Sequence, residues 1–387
     1  MKIGIITNLV QIEQFVKKKM ATATPSEWMR ATGGNTGNVA FVQGVQAILG
    51  DDINVVNWGD NPEAVNKYYD HLVICCANQI GAHVDLAGWA DRLTCFDLPA
   101  TFIGLGAQSD EIGVIPDVPE GTLKFLDVAS KLRRDASSPN IITRGSFTTE
   151  VLQSFGYDSA PLGCPSQFIC PEKDLGEKCF KRQKSSKYPR IMTAAGNPWH
   201  PSAVLEKVLV EIVNKYSGDY VLQHPLALFQ LASGDQNTLA IGQQKRLKEV
   251  YSFIGDLDEV AQWFSSYSVF FADTQNWMQY SKHFSLVLGP RYHGVALPIQ
   301  AGTPGKVIAI DSRTEELSLT TGVPVVKYAE VQDLSADELV ESCYWTQDDA
   351  ENYDNVREQN AAKYIPTLES NGLAASKHLK SLCSASV

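Results

Sequence analysis

Arg291 and His293 stand two positions apart at the end of an apolar run, Leu286-Val287-Leu288-Gly289-Pro290, where a helical pattern opens through Tyr292-His293-Gly294. A fixed cation, an imidazole that titrates near neutrality and the free N–H groups of a helix start together suit a doubly charged anion whose chemistry requires a proton to move. Arg291 and His293 are therefore the first candidates for catalysis, with Tyr292 and Gly294 beside them at the same anion. Arg144 follows the strand-like Asn140 to Thr143 and precedes a helix opening at Ser146. Its planar fork suits a phosphate or a carboxylate, and the alternative reading is a tie between two loops. Gln223-His224-Pro225 follows the strand-like Tyr220 to Leu222, which would put His224 on the same edge as Arg291.

Three more segments could face these groups. Gly33-Gly34-Asn35-Thr36-Gly37-Asn38 leads into an amphipathic helical stretch beginning near Val39. Its spacing matches neither G-x-G-x-x-G nor G-x-x-x-x-G-K-[ST], so Asn35, Gly37 and Asn38 form either a substrate loop or a plain turn with an Asn cap. Asn78 and Gln108 each close an apolar strand, the position beyond a strand's carboxyl end where open α/β sheets bind ligands, although both could simply cap buried loops. Glu315 and Glu316 follow Asp311-Ser312-Arg313 and either meet a substrate hydroxyl or enrich a helix N-terminus in acid. His71, His83, His200, His283 and His378 have no comparable context and read as structural or surface groups.

The elements that must position these groups alternate along the chain. Apolar β-branched runs at Ile3 to Thr7, Val39 to Leu49, Ile53 to Asn57, Leu72 to Cys76 and Thr101 to Leu105 read as strands of a parallel sheet covered on both faces, with helical signals such as Gly121 to Leu132 between them. After an aperiodic stretch rich in Pro, Cys, Lys and Glu, the alternation restarts. Strands are expected at Arg190 to Ala194, Tyr220 to Gln223, Val269 to Ala272, Phe284 to Leu288 and Val307 to Asp311. Helices are expected at Ala203 to Tyr216, Leu257 to Ser265, Asn276 to His283 and Tyr292 to Ala301, the last kinked at Pro298. The reading is two doubly wound, Rossmann-like α/β domains over residues 1–165 and 190–334, a crossing at 166–189, and a helical C-terminal tail over 335–387 that packs back on the first domain. In the tail, Val356, Ala361, Tyr364, Ile365 and Leu368 fall roughly on one stripe.

Composition narrows the function classes. A chain of 387 residues is long enough for two cores, and a net charge of -11 disfavours nucleic acid as a partner. The short basic clusters, Lys17-Lys18-Lys19 and Lys181 to Arg190, read as solvated surface. Eight cysteines are scattered without a C-x-x-C pair, which predicts a reducing compartment and no metal module. With no segment of ~18 uninterrupted apolar residues and no leader-like start, the expectation is a soluble cytoplasmic protein that could still dock transiently on a membrane-associated assembly.

The chain resembles the polysaccharide pyruvyl transferase family. The resemblance rests on Asn35-Thr36-Gly37-Asn38, on Arg144-Gly145-Ser146 running through Leu152 to Gly156, and on Arg291-Tyr292-His293-Gly294 followed by Ala301-Gly302-Thr303-Pro304. It departs from the family pattern in two places. Asn38 stands where Asp is common, and Gly163-Cys164-Pro165-Ser166 replaces a common Pro-Asp. An Asn cannot act as a general base, though it can orient a hydroxyl or a phosphate.

The resemblance implies a GT-B-like pair of domains around a cleft. It further implies phosphoenolpyruvate as donor with no cofactor and no metal, a sugar of a glycan or lipid-linked oligosaccharide as acceptor, and a pyruvate ketal as product, in exopolysaccharide or other glycan synthesis. On that reading Arg144, Arg291, Tyr292, His293, Gly294 and His224 hold the donor, His293 manages the proton, and Asn35, Gly37, Asn38, Asn78 and Gln108 line the acceptor side of the cleft. Two alternatives stand beside it. One is a sialyltransferase-like or other nucleotide-sugar transferase with Gln223-His224-Pro225 as its phosphate loop, and the other is a glycan-binding protein without turnover.

Overall fold

The computed structural model describes residues 1–383 apart from 11, 110 and 186–188. The basic stretch at Lys181 to Arg190 and the crossing at 166–189 therefore lie partly outside the described residues.

Two parallel sheets organise the chain. The first contains β1 (Lys2–Ile6), β2 (Asp52–Val56), β3 (His71–Cys75), β4 (Asn78–Ile80), β5 (Ala100–Ala107), β6 (Ile141–Thr143) and β7 (Ala160–Pro161), in the order β2-β1-β3-β5-β6-β7 with β4 beside β5. The second contains β8 (Ile191–Ala194), β9 (Tyr220–Val221), β10 (Ser268–Val269), β11 (Leu286–Gly289), β12 (Gly305–Ala309) and β13 (Val325–Lys327), in the order β10-β9-β8-β11-β12-β13. Each order reverses direction part-way, the signature of double winding. Central strands are apolar throughout because helices cover both faces: every residue of β3 and of β5 is buried. Carboxyl ends of the two sheets face one another across a cleft, a GT-B-like arrangement.

The stretch from Val39 supports two readings, an amphipathic helix and a buried strand, and the helix is the one that forms. Val39 to Leu49 folds as the helix Asn38–Ile48, which buries Val39, Phe41, Val42, Val45 and Ile48. Its apolar residues spread over more than one face because it lies between the sheet and the turn Pro165–Phe168. A Cβ at Gly44 would come within 2.6 Å of the Pro165 carbonyl oxygen. Close burial on two sides erases the polar face that distinguishes a helix from a buried strand. The strands expected at Val269 to Ala272 and Val307 to Asp311 end three and two residues early, so that Ala272 and Asp311 lie in the loops of the cleft.

The C-terminal helices bind the halves together. In the helix Gln347–Ser370 the side chain of Arg357 is buried and donates to the carbonyls of Gln167, at 2.7 Å, and of Cys170 and Glu172. Tyr364 donates to the Gly163 carbonyl at 2.9 Å, and farther along Ser376 donates to the Ala47 carbonyl at 2.6 Å. Ala361, Tyr364 and Leu368 are buried along this stripe. Among the described residues, no helix is long and apolar enough to cross a membrane.

Candidate active site

The helix Tyr292–Gln300 starts in the floor of the cleft because β11 stops abruptly. Gly289, at φ +145°, closes β11 where any Cβ would strike the Ala194 carbonyl of the neighbouring strand. Arg291 is the N-cap, and its Nη2 donates to the carbonyls of Gly196 at 3.0 Å and His224 at 3.4 Å. Its Nε is buried without a hydrogen-bond partner among the described residues. Burial and the nearby Arg313 lower its pKa to about 10, against the pull of Glu206 and Asp311. Glu206 lies behind it, 1% exposed and bonded to the hydroxyls of Tyr220 and Tyr251; burial pushes its carboxyl up to about 7.

His293 Nε2 lies 3.4 Å from Cys164 Sγ, which in turn meets Ser166 Oγ at 3.0 Å. Burial, and then the charge of Arg144, drop the imidazole to about 3, while burial pushes the thiol up. Both groups are neutral at pH 7. The Tyr292 hydroxyl turns the other way and donates to Thr321 Oγ1 at 2.9 Å.

Arg144 reaches the same place from the other sheet. Its Nε donates to the Gly104 carbonyl at 3.0 Å, and its terminal nitrogens have no hydrogen-bond partner among the described residues. Burial lowers its pKa, Arg313 adds to the lowering, and Cys164 and Glu316 oppose it. Arg313 is anchored by Asp311, with Nε and Nη2 donating to one carboxylate oxygen at 3.0 and 2.6 Å. Arg313 thus lowers both Arg144 and Arg291, and the nearby carboxylates are spoken for. Glu316 spans the cleft to the start of the helix Ser146–Ser154, accepting from the Thr148 amide at 2.6 Å and its hydroxyl at 2.8 Å. Glu315 pairs with Lys327 at 2.8 Å. Such a concentration of like charge favours an anion among the guanidiniums.

The N-terminal loop closes over His293. Thr36 donates its amide to the Gln223 carbonyl at 3.1 Å and its hydroxyl to the Leu222 carbonyl at 3.2 Å, and His224 Nδ1 lies 3.3 Å from the Gly34 carbonyl. Gly37 and Gly294 pack on opposite ends of the Gln223 amide: a Cβ would come within 2.7 Å of its Oε1 from Gly37 and 2.5 Å of its Nε2 from Gly294. Gln223 is only 2% exposed and its Nε2 has no partner. Burial and Arg291 depress His224 to about 4. Within the loop, Asn35 Oδ1 accepts from the Gly37 amide at 2.8 Å, and the Asn38 amide donates to the carbonyls of Thr32, at 2.9 Å, and Gly33, at 3.3 Å.

Asn78 and Gln108 bond to each other through their side chains on the far flank of Arg144, where Asn78 Oδ1 is buried and otherwise unpartnered. Gly106 separates them from Arg144: a Cβ there would meet Arg144 Cδ at 2.7 Å and Asn78 Oδ1 at 3.4 Å. Just beyond, Ser312 donates to the Ser109 carbonyl at 2.8 Å and closes that end of the cleft.

The structure therefore brings Arg144, Arg291, His293, Gly294, His224, Asn35 and Gly37 together, with Asn78 and Gln108 at the margin. The Asn38 side chain braces its own loop, and the Tyr292 hydroxyl points toward Thr321. Sequence reasoning passed over Arg313, Cys164 and Glu206 as site residues, and it singled out Gln223 only as part of the segment Gln223-His224-Pro225. Arg313 was accessible to it, since it follows β12 just as Arg291 follows β11. Among the described residues, no group of three or more His, Cys, Asp or Glu side chains could hold a metal ion.

The family described as Polysaccharide pyruvyl transferase matches residues 35–312. No curated protein sequence matches the chain. Among solved structures, the UDP-GlcNAc 2-epimerase of Methanocaldococcus jannaschii, in complex with UDP-GlcNAc and UDP, is 11% identical, covers 94% of this chain and 100% of its own, and superposes with a TM-score of 0.40.

Proposed function

The chain belongs to the polysaccharide pyruvyl transferase family, and from that premise we propose that it transfers the enolpyruvyl-derived group of phosphoenolpyruvate to two hydroxyls of a glycan or lipid-linked sugar, forming a cyclic pyruvate ketal. The observation that carries this reading is the approach of Arg144, from the first sheet, to the Arg291–His293 helix start of the second, with Arg313 close enough to act on both arginines. A donor with a phosphate and a carboxylate presents two anionic groups, and three guanidiniums in a half-buried cleft can take both.

The reaction protonates the methylene carbon of the donor, and the positive charge at the neighbouring carbon is met by one acceptor oxygen. The second acceptor oxygen then displaces phosphate by cleavage of the carbon–oxygen bond. Of the two protons the hydroxyls give up, one replaces that delivered to the methylene carbon and the other leaves with phosphate. Burial first, and Arg144 second, keep His293 neutral, so it is not by itself an acid at pH 7. A dianion beside the ring favours its charged form directly and offsets Arg144, both of which draw the imidazole upward against burial, so that the acidic proton is taken up together with the donor. Gln223 Nε2 and Arg291 Nε, both buried without partners, are further donors for the ligand.

Phosphate release from phosphoenolpyruvate, followed with a panel of galactosides and mannosides, tests the assignment. His293→Ala and Arg291→Ala are each expected to lose on the order of 10²-fold or more in turnover. Phosphoenolpyruvate, and not nucleotide sugars, should raise the melting temperature of the wild-type chain. Near-wild-type turnover in both variants, or stabilisation by nucleotide sugars alone, would overturn it.

A further inference from the structure

A second concave region lies toward the opposite edge of the cleft from Arg144 and Arg313, which follow β6 and β12. It is a cavity of about 690 Å³ between the ends of β1 and β2, the helix Ile12–Lys18, the outer face of the 38–48 helix and the loop Ala272 to Thr274 of the second sheet. β2 and β10 are the edge strands of their sheets, so this region opens where neither sheet continues.

Its chemistry differs from that of the arginine cluster. The charges on its wall are few and lean acidic: the exposed Glu13 and Lys17 stand 3.9 Å apart, and Asp273 accepts from the Asn276 amide at 2.7 Å as a helix cap. Among the described residues two carboxylates thus face one lysine here, which disfavours an anionic ligand, and no aromatic ring lines the wall for a base to stack on. Side-chain amides remain. Gln43, Gln46 and Asn54 are half-buried and have no hydrogen-bond partner among the described residues, beside an aliphatic floor that includes Val39, Val42 and Ile53. Neutral donor–acceptor amides over an aliphatic floor match a sugar ring, which has hydroxyls along its edge and C–H groups on its faces.

The 38–48 helix links this region to the arginine cluster. Gly37 packs on His293, and Val39, two residues on and ~3 Å farther along the axis, already lines the groove. We propose that this groove binds the neutral saccharide chain of the acceptor and leads its reacting residue to His293. Neutral-sugar binding stands on the groove alone; the word acceptor rests on the transferase reading above.

Binding to immobilised neutral oligosaccharides of galactose, mannose, glucose and N-acetylglucosamine tests it, with an acidic oligosaccharide series alongside. Two variants probe the wall: Gln43→Ala/Gln46→Ala removes amides with little change of packing, and Asn54→Trp fills the groove from the edge strand. The expected result is binding of at least one neutral series, weakened tenfold or more in either variant, with thermal stabilisation by phosphoenolpyruvate unchanged. Binding of no neutral series, binding of the acidic series alone, or neutral binding unaltered in both variants overturns the groove. Absence of phosphoenolpyruvate stabilisation in the wild-type chain would instead overturn the transferase reading and leave a saccharide-binding groove in place.

Discussion

Neutrality is the state in which His293 and Cys164 meet. Burial holds the imidazole near 3 and pushes the thiol up, so the 3.4 Å contact joins a neutral thiol to a neutral ring rather than an ion pair. A contact of this kind orients the ring without charging it, which makes Cys164 a positioning residue. A neutral hydrogen bond is worth about 1 kcal/mol, so Cys164→Ala should lower kcat roughly five- to tenfold while leaving phosphoenolpyruvate affinity in place, and Cys164→Ser, which keeps a donor, should restore most of it. Equal losses in the two variants, or a loss of donor affinity, would contradict this in steady-state kinetics and thermal shift. Asn38 illustrates what residue identity alone conceals. Its type suggests a weakened relative of an acid, yet its amide donates to two carbonyls of its own loop, contacts an ionised Asp could not make because it has no donor.

At the scale of elements, strand ends were the legible part. Arg144, His224 and Arg291 were picked out because each follows an apolar run, and all three converge for that reason. Arg313 obeys the same rule but was hidden by the acidic residues around it, Asp311, Glu315 and Glu316. Cys164 and Glu206 could not be read from sequence, because their relation to the site is made by packing between segments more than 80 residues apart. The 38–48 helix is the ambiguous case, legible both as a helix and as a strand because burial on two sides gave it a strand's composition. Glu316 has a role assignable only in three dimensions: it caps the helix Ser146–Ser154 from the opposite domain. Buried charge-assisted hydrogen bonds at a helix N-terminus contribute about 1–3 kcal/mol, so Glu316→Ala should lower the unfolding free energy by that amount in urea. An unchanged urea midpoint would show that the two domains hold together without it.

Across the whole molecule, acid is the condition to which the fold is most exposed. Burial holds His71 and His224 near 4 and His293 near 3, against an ordinary value of 6.5. The unfolded chain therefore takes up these protons first as pH falls, and the stability these neutral rings contribute is present above about 6.5 and lost progressively toward pH 4. Glu206, held near 7 against 4.5, acts in the opposite sense, its contribution being lost as pH rises through 7. Glu316 and Asp354, also raised by burial, act with Glu206, and the three rings, which titrate from the higher unfolded value, set the slope just below 6.5. For fully buried His71 alone the loss by pH 4 is on the order of 3 kcal/mol, at about 1.4 kcal/mol per pH unit. Urea midpoints should fall steadily from pH 7 to pH 5; a flat or rising midpoint would refute the assignment of neutral buried rings. The C-terminal helices carry a different consequence, one of order in time. Ser376 and Ala375 cover Ala47 and Leu49, and Arg357 gathers the carbonyls of Gln167, Cys170 and Glu172. During synthesis the first domain thus leaves the ribosome with this seat bare, and it is covered only when residues 347–376 follow. Nascent chains stalled anywhere before that point present an apolar surface that the finished protein never shows.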